Sequence, residues 1–271
     1  MDKGDSFMKQ YLLTPPNCLA AAQGWDLPLA HMAFQIGPEG RLHQAPLPPD
    51  VTGGLMLVGM PEAPKGGADP RRTVQEILSV CQARAFIGVV LDLEEQPSPY
   101  ITQLIEALEA GLARNRRGLF LPESYANFSQ RTFLYLSSAI SGGSLRQRLK
   151  SAVDAYGTDR LALSLHRARE DFFLPSPTGE GRPLSQEELR QRMARLDPRV
   201  HFSQDLCAHY FTYMSRETGA HFILFDDEKS LGKKREIAQE VGIQRFFWLY
   251  PEVEEFLPQL VDQKETHSSL S

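Results

Sequence analysis

Eight apolar runs, each bounded by turn-forming residues, recur along the chain with room for a helix between most of them. They occupy residues 8–14, 29–36, 54–60, 86–93, 118–121, 132–136, 161–165 and 244–249. Most lack the polar–apolar alternation of a half-solvated antiparallel strand, so they read as strands covered on both faces, as in a parallel sheet. Parallel neighbours need crossovers, and the intervening segments supply them. Residues 71–83 place Val74, Ile77, Leu78 and Cys81 on one helical stripe, and residues 100–113 do the same with Ile101, Leu104, Ile105, Leu108 and Leu112. The pairs Ser144 with Gln147 and Ser185 with Glu188 have capping-box spacing and mark helix starts near 145 and 186. Residues 229–241 and 252–261 complete the helices, each stopped or preceded by Gly or Pro.

Strands alternating with helices over 271 residues predict an α/β chain folded as a single (β/α)8 TIM barrel spanning residues 1–271, for which about 250 residues is typical. A doubly wound sheet is the competitor. Its phosphate signatures are missing, because no glycines form GxGxxG or GxxxxGK[ST] between a strand and a helix. The rhythm breaks between the seventh and eighth strands, where an insertion at about 170–228 holds residues 209–214 and 221–225 around the turn-prone SRETGA. That pattern predicts a β-hairpin inside the insertion.

Composition narrows the partners. With 42% hydrophobic and 23% charged residues the chain is an ordinary globular one, and a net charge of −5 gives it no overall attraction for nucleic acid or anionic membranes. No apolar run is long enough to cross a bilayer, and the first residues lack the pattern of a secretory signal. Cys18, Cys81 and Cys207 fit neither a disulfide framework nor a zinc site. The seven histidines show no HExxH spacing, so neither a metal nor a cofactor is expected. Residues 142–144, Gly-Gly-Ser, lack the GxSxG frame of a nucleophilic serine and read as a turn with a helix cap. The basic run 114–117 at a helix end reads as a complement to the helix dipole.

The segment Phe86-Ile-Gly-Val-Val-Leu-Asp-Leu-Glu94 carries the most chemistry. Strand side chains alternate, so Val90, Asp92 and Glu94 share one face while Val89, Leu91 and Leu93 take the helix-facing side. Asp92 and Glu94 then point into the barrel at its C-terminal end, where barrel enzymes keep catalytic groups. Two acids two residues apart have Cα atoms roughly 6–7 Å apart, close enough to share a substrate or a proton. Burial and mutual repulsion favour keeping one protonated, as a general acid requires. The alternative is that DLEE simply ends a strand in solvent. Tyr125 after the fifth strand and Asp171 after the seventh are expected at the same mouth, where they would bind a substrate, or else pack or face solvent.

This segment resembles the fourth-strand motif DGxDxDxE of family-18 glycoside hydrolases, the chitinase-like barrels, with Gly88, Asp92 and Glu94 matching. The motif's first two acids fall on Ile87 and Val90. LAHMAFQIGPEGRL, residues 29–42, is similar to the family's second strand, and FDDEKSLGKKREIAQEVGIQRFFWLYPE, residues 225–252, resembles its closing helix and last strand. The likeness is greatest to the branch holding spore-germination and cortex-associated glycosidases of spore-forming bacteria.

The resemblance implies hydrolysis of N-acetylated amino-sugar polymers, chitin-like or peptidoglycan-like, built on N-acetylglucosamine, in which the substrate's own acetamido oxygen attacks the anomeric carbon. It implies Glu94 as acid and then base, Asp92 as the group that holds and polarises the acetamido, and Trp248 as an apolar floor under the sugar. It also implies that Ser138 stands where the family has a tyrosine. A glycan partner and a cytoplasmic or spore-associated location follow, and the oligomeric state is not implied. The changes at Ile87, Val90 and Ser138 favour a second reading, a weakly active or inactive barrel kept for glycan binding or structure.

Overall fold

A computed structural model of the chain describes residues 9–64, 66–94, 97–175 and 179–261. The chain forms two compact units. One contains the chain up to Leu136 together with Tyr156–Ser164 and Gln244–Pro251; the other contains Ser137–Ala155, Leu165–Ile243 and the chain from Glu252 onward.

The first unit is organised by eight parallel strands. These are β1 (Lys9–Thr14), β2 (Leu29–Ile36), β4 (Leu55–Met60), β5 (Gly88–Leu93), β6 (Gly118–Pro122), β7 (Phe133–Ser137), β8 (Leu161–Leu165) and β14 (Arg245–Leu249). A short antiparallel strand, β3 (Leu42–Gln44), hangs from β2. The order β1-β14-β8-β7-β6-β5-β4-β2, with β1 also paired to β2, closes the sheet into the expected (β/α)8 barrel. All eight strands lie where the apolar runs predict them.

Alternation along the strands sorts the core into two layers. Tyr11, Leu13, Ala30, Leu55, Leu57, Val90, Phe120, Ala162 and Phe247 form one cluster filling the barrel interior. Residues of the opposite parity, among them Leu12, Met56, Val58, Val89 and Leu91, are fully buried on the outer side. Helices α2 (Pro70–Ala83) and α3 (Pro99–Ala113) pack together and bury their apolar stripes, Val74, Ile77 and Cys81 on one and Leu104, Ile105 and Leu108 on the other. Each begins with Pro at its first turn behind a polar cap: Asp69 accepts from the Arg71 amide at 2.9 Å, and Ser98 Oγ accepts from the Ile101 amide at 3.3 Å. Such caps contribute about 1 kcal/mol each. The shorter α1 (Leu19–Ala22) follows β1.

The second unit contains α4 (Leu145–Tyr156), α5 (Gln186–Leu196) and α6 (Glu228–Glu240), with α8 (Leu257–Val261) near its end, while α7 (Tyr250–Val253) begins in the first unit. Its sheet is antiparallel, in the order β10-β9-β13-β12-β11. The strands are β9 (Arg169–Leu174), β10 (Arg182–Pro183), β11 (His201–Ser203), β12 (Ala208–Ser215) and β13 (Gly219–Phe225). The expected hairpin is β12–β13, in register from His209 opposite Phe225 to Ser215 opposite Gly219. It is the middle of a larger sheet, because β9 pairs with the other side of β13 along six residues. Phe211, Ile223, Phe225, Leu184 and Leu189 form a small core against α5. The Ser185–Glu188 capping box predicted for α5 is present in both directions.

Candidate active site

Asp92 is the penultimate residue of β5. Val90, two residues earlier, belongs to the interior cluster, so alternation turns Asp92 to the same side. There it meets Tyr135 of β7, which also packs on that cluster. The Tyr135 hydroxyl lies 3.2 Å from Asp92 Oδ1 and 3.1 Å from the Leu91 carbonyl oxygen, and it donates its single proton to these two acceptors. Burial pushes the Tyr135 hydroxyl far above the ordinary phenol range, helped first by the Asp92 charge, then by its hydrogen bond to Asp92 and by the nearby Tyr125. Tyr135 therefore stays a neutral donor.

The neighbouring ladder positions leave room beside this carboxylate. Asp92 pairs with Gly59 of β4, and Gly59 pairs with Gln35 of β2. A Cβ at Gly59 would meet only the Phe34 carbonyl oxygen, at 3.9 Å. The register slips between His31 and Phe34, so β2 spends three residues where β4 spends two. That bulge puts the exposed Gln35, rather than Phe34, in the row with Gly59 and Asp92. A half-buried phenol hydrogen-bonded to a carboxylate thus lies at the C-terminal end of the strands, in a row with an unfilled glycine position and an amide residue.

Glu94 follows the last residue of β5 and is solvent-exposed, and the last β4–β5 pair is Met60 with Leu93, so the ladder does not orient it. Tyr125 lies on the 3-10 turn Glu123–Phe128 after β6, is 1% exposed and rests against Phe128 at 5.6 Å.

Three expected site residues are placed elsewhere. Trp248 is 1% exposed and pairs with Leu12, whereas the interior cluster takes the adjacent Phe247 and Leu249. Its indole N–H donates to Gln10 Oε1 at 2.9 Å on the outer side of the sheet. Trp248 is therefore a satisfied outer-core aromatic and not a floor for a sugar; Leu249 holds the inward position at that strand end. Ser138 is fully buried, and its Oγ accepts from the His166 amide at 3.3 Å. Asp171 is not in a loop but within β9, fully buried, with Oδ1 2.8 Å from His221 Nδ1 and Oδ2 paired with Arg192. With both oxygens engaged, it has nothing to offer a ligand.

Tyr135, Gln35 and Gly59 are the site residues that the sequence reading missed. Tyr135 had a signal, since Phe133, Tyr135 and Ser137 share one strand face. Gln35 had none, because its side depends on the bulge. Among the described residues no group of three or more His, Cys, Asp or Glu is arranged to hold a metal, and no described helix is long and apolar enough to cross a membrane.

No family model matches the sequence, and no curated protein matches it either. Solved structures do. The spore cortex-lytic enzyme SleL of Bacillus cereus superposes with a TM-score of 0.68 at 14% identity, covering 96% of this chain and 76% of that one. A chitinase from Chromobacterium violaceum gives 0.68 at 13% identity over 93% and 98%. A family-18 chitinase from Cycas revoluta, in complex with (GlcNAc)3, gives 0.64 at 15% over 93% and 98%. The fold of this chain is thus that of chitinase-like and spore cortex-lytic glycoside hydrolase barrels.

Proposed function

We propose that this chain is a glycoside hydrolase acting on N-acetylated amino-sugar polymers by substrate-assisted chemistry. The observation that carries the reading is the Asp92–Tyr135 pair on the inward face at the strand ends, beside the open space at Gly59. In this mechanism Glu94 protonates the glycosidic oxygen while the substrate's acetamido oxygen attacks the anomeric carbon. Asp92, held by the Tyr135 hydroxyl, orients the acetamido group and offsets the positive charge that develops on it. Glu94, now a carboxylate, then takes a proton from the water that opens the cyclic intermediate. The exposure of Glu94 suits a group that meets both leaving group and water. The glycan-bound plant chitinase among the structural neighbours supports a glycan as ligand.

The second reading is a glycan-binding barrel without turnover, favoured by Ile87 and Val90 at two acid positions of the motif and by Leu249 at the inward end of β14. Turnover of N-acetylglucosamine oligomers and peptidoglycan fragments, alongside calorimetric binding, decides between them. Glu94→Gln is expected to lower the rate by about 10²–10⁴-fold with binding nearly intact. Binding without turnover in the wild type selects the second reading, and neither binding nor turnover overturns both.

A further inference from the structure

The antiparallel sheet of the second unit carries a relay of polar side chains that ends at the protein surface. On β13, His221 pairs with Tyr213 of β12 on one side and with Phe173 of β9 on the other. Its ring is 3% exposed and lies between theirs, at 4.4 Å from Tyr213 and 4.6 Å from Phe173. His221 Nδ1 is 2.8 Å from Asp171 Oδ1, and His221 Nε2 is 2.6 Å from Thr218 Oγ1. Asp171 is fully buried, and its other oxygen is paired with Arg192, which also donates to the Tyr213 hydroxyl at 3.2 Å. A carboxylate can only accept, so Nδ1 carries the proton toward Asp171. In the neutral ring Nε2 then holds the lone pair, and the Thr218 hydroxyl donates to it.

Thr218 is the exposed end of this chain of hydrogen bonds. It closes the three-residue loop 216–218 between β12 and β13, and Gly219 beyond it takes φ +85°, a conformation that favours glycine. An ordinary surface hydroxyl is a weak nucleophile. Here a fixed imidazole stands ready to take its proton, and a buried carboxylate fixes the imidazole, which is the order nucleophile, base, orienting acid. The loop also supplies donors. The Glu217 and Thr218 amides both donate to Ser215 Oγ at 3.3 Å, two long bonds to one neutral acceptor, and an oxyanion is a stronger acceptor than that hydroxyl. Phe173, 43% exposed, offers apolar surface beside the His221 ring.

We propose that Thr218, His221 and Asp171 form an acyl-transfer site that hydrolyses small carboxylic esters, with the ester's apolar part against Phe173. Thr218 Oγ1 bonds to the carbonyl carbon as its proton passes to His221 Nε2. The resulting oxyanion takes the Glu217 and Thr218 amides in place of Ser215 Oγ. Its collapse breaks the bond to the alcohol oxygen, which leaves with the proton from Nε2. Water then attacks the acyl-threonine, giving its proton to Nε2, and the acid departs as Oγ1 recovers a proton. Asp171 is a positioning residue that keeps Nε2 turned to Thr218, and Arg192 holds Asp171 in turn. The site needs no part of the chemistry assigned to Asp92 and Glu94.

The test incubates the whole chain with p-nitrophenyl acetate and p-nitrophenyl butyrate, following nitrophenolate release and the mass of the protein. Trypsin cleavage after Arg216 gives a peptide that starts at Glu217 and contains Thr218 and His221, so fragmentation locates an acyl group within it. Saturable, Thr218-dependent release is expected, with any acyl group trapped by acid quenching on Thr218. Thr218→Val keeps the shape without the hydroxyl and should lower turnover about 10- to 100-fold, whereas Thr218→Ser should retain it. His221→Gln should show the same loss, and the exposed Thr218→Val keeps the test decisive if the His221 variant does not fold. The ¹⁵N spectrum of the His221 ring should place its proton on Nδ1, a readout that reports the Asp171 contact directly. Turnover unchanged in Thr218→Val, an acyl group found only on lysines or on His221, a ring proton on Nε2, or the absence of both turnover and adduct overturns the proposal.

Discussion

Replacing Lys234 by Met isolates a buried charge in the second unit. Lys234 and Asp226 are 1% and 0% exposed at their side chains, and Lys234 Nζ lies 2.6 Å from Asp226 Oδ2. The same oxygen accepts from the Ala168 amide at 2.9 Å, and Oδ1 accepts from Ser230 Oγ at 2.7 Å. Asp226 thus ties β13, the start of β9 and the first turns of α6 together. Met fills the volume of the lysine stem but removes the countercharge, leaving a carboxylate with neutral donors only. Breaking a buried pair in this way costs about 3–5 kcal/mol. At about 2–4 °C per kcal/mol for a chain of this size, the melting temperature should fall by roughly 6–20 °C. Removing both charges with Asp226→Asn/Lys234→Met should recover much of the loss, since no unpaired ion then remains. Urea unfolding followed by circular dichroism measures both variants. A loss below about 1 kcal/mol in the single variant, or a double variant no more stable than the single, would refute the assignment of the cost to an uncompensated buried charge.

Tyr135→Phe removes the donor that holds Asp92. A hydrogen bond to a charged group is worth about 1.5–3 kcal/mol, so kcat/KM on N-acetylated oligosaccharides should drop about 10- to 100-fold with the fold retained; unchanged turnover would remove Tyr135 from the site. His31 gives a pH signature. Burial lowers its pKa in the folded chain, so the unfolded chain binds the extra proton first, and stability is full above the unfolded value of about 6.5 and falls as pH drops below it. Melting curves between pH 7.5 and 5 should show this loss in the wild type and a flatter profile in His31→Phe, and parallel profiles would contradict the buried neutral ring.

The barrel could be read from the chain because its determinants are local. Each strand is a short apolar run, each helix an apolar stripe with a cap, and their alternation over this length leaves few architectures. The polar intrusion at Asp92 in an otherwise apolar strand was likewise visible, since alternation from Val90 tells its side without any other part of the chain. The capping box at Ser185 was equally self-contained, as both partners lie within four residues.

What the sequence left open were the sides of residues whose strands carry no alternation. Arg245-Phe-Phe-Trp-Leu249 is apolar on both faces, so either parity could be inward; pairing of Trp248 with Leu12 and of Phe247 with Tyr11 decided it. The bulge in β2 puts Gln35 in the row of Gly59 and Asp92 through its register with β4, a relation between strands about 20 residues apart. Asp171 reads alone as a polar residue at a barrel mouth, yet β13 and α5 enclose it with His221 and Arg192, at positions 221 and 192 of the chain. Local chemistry determines which elements form and where they stop, because caps, stripes and alternation act over a few residues. Register and partner choice depend on contacts distant in sequence, and so the tertiary structure alone decided which polar groups face a ligand and which are sealed in the core.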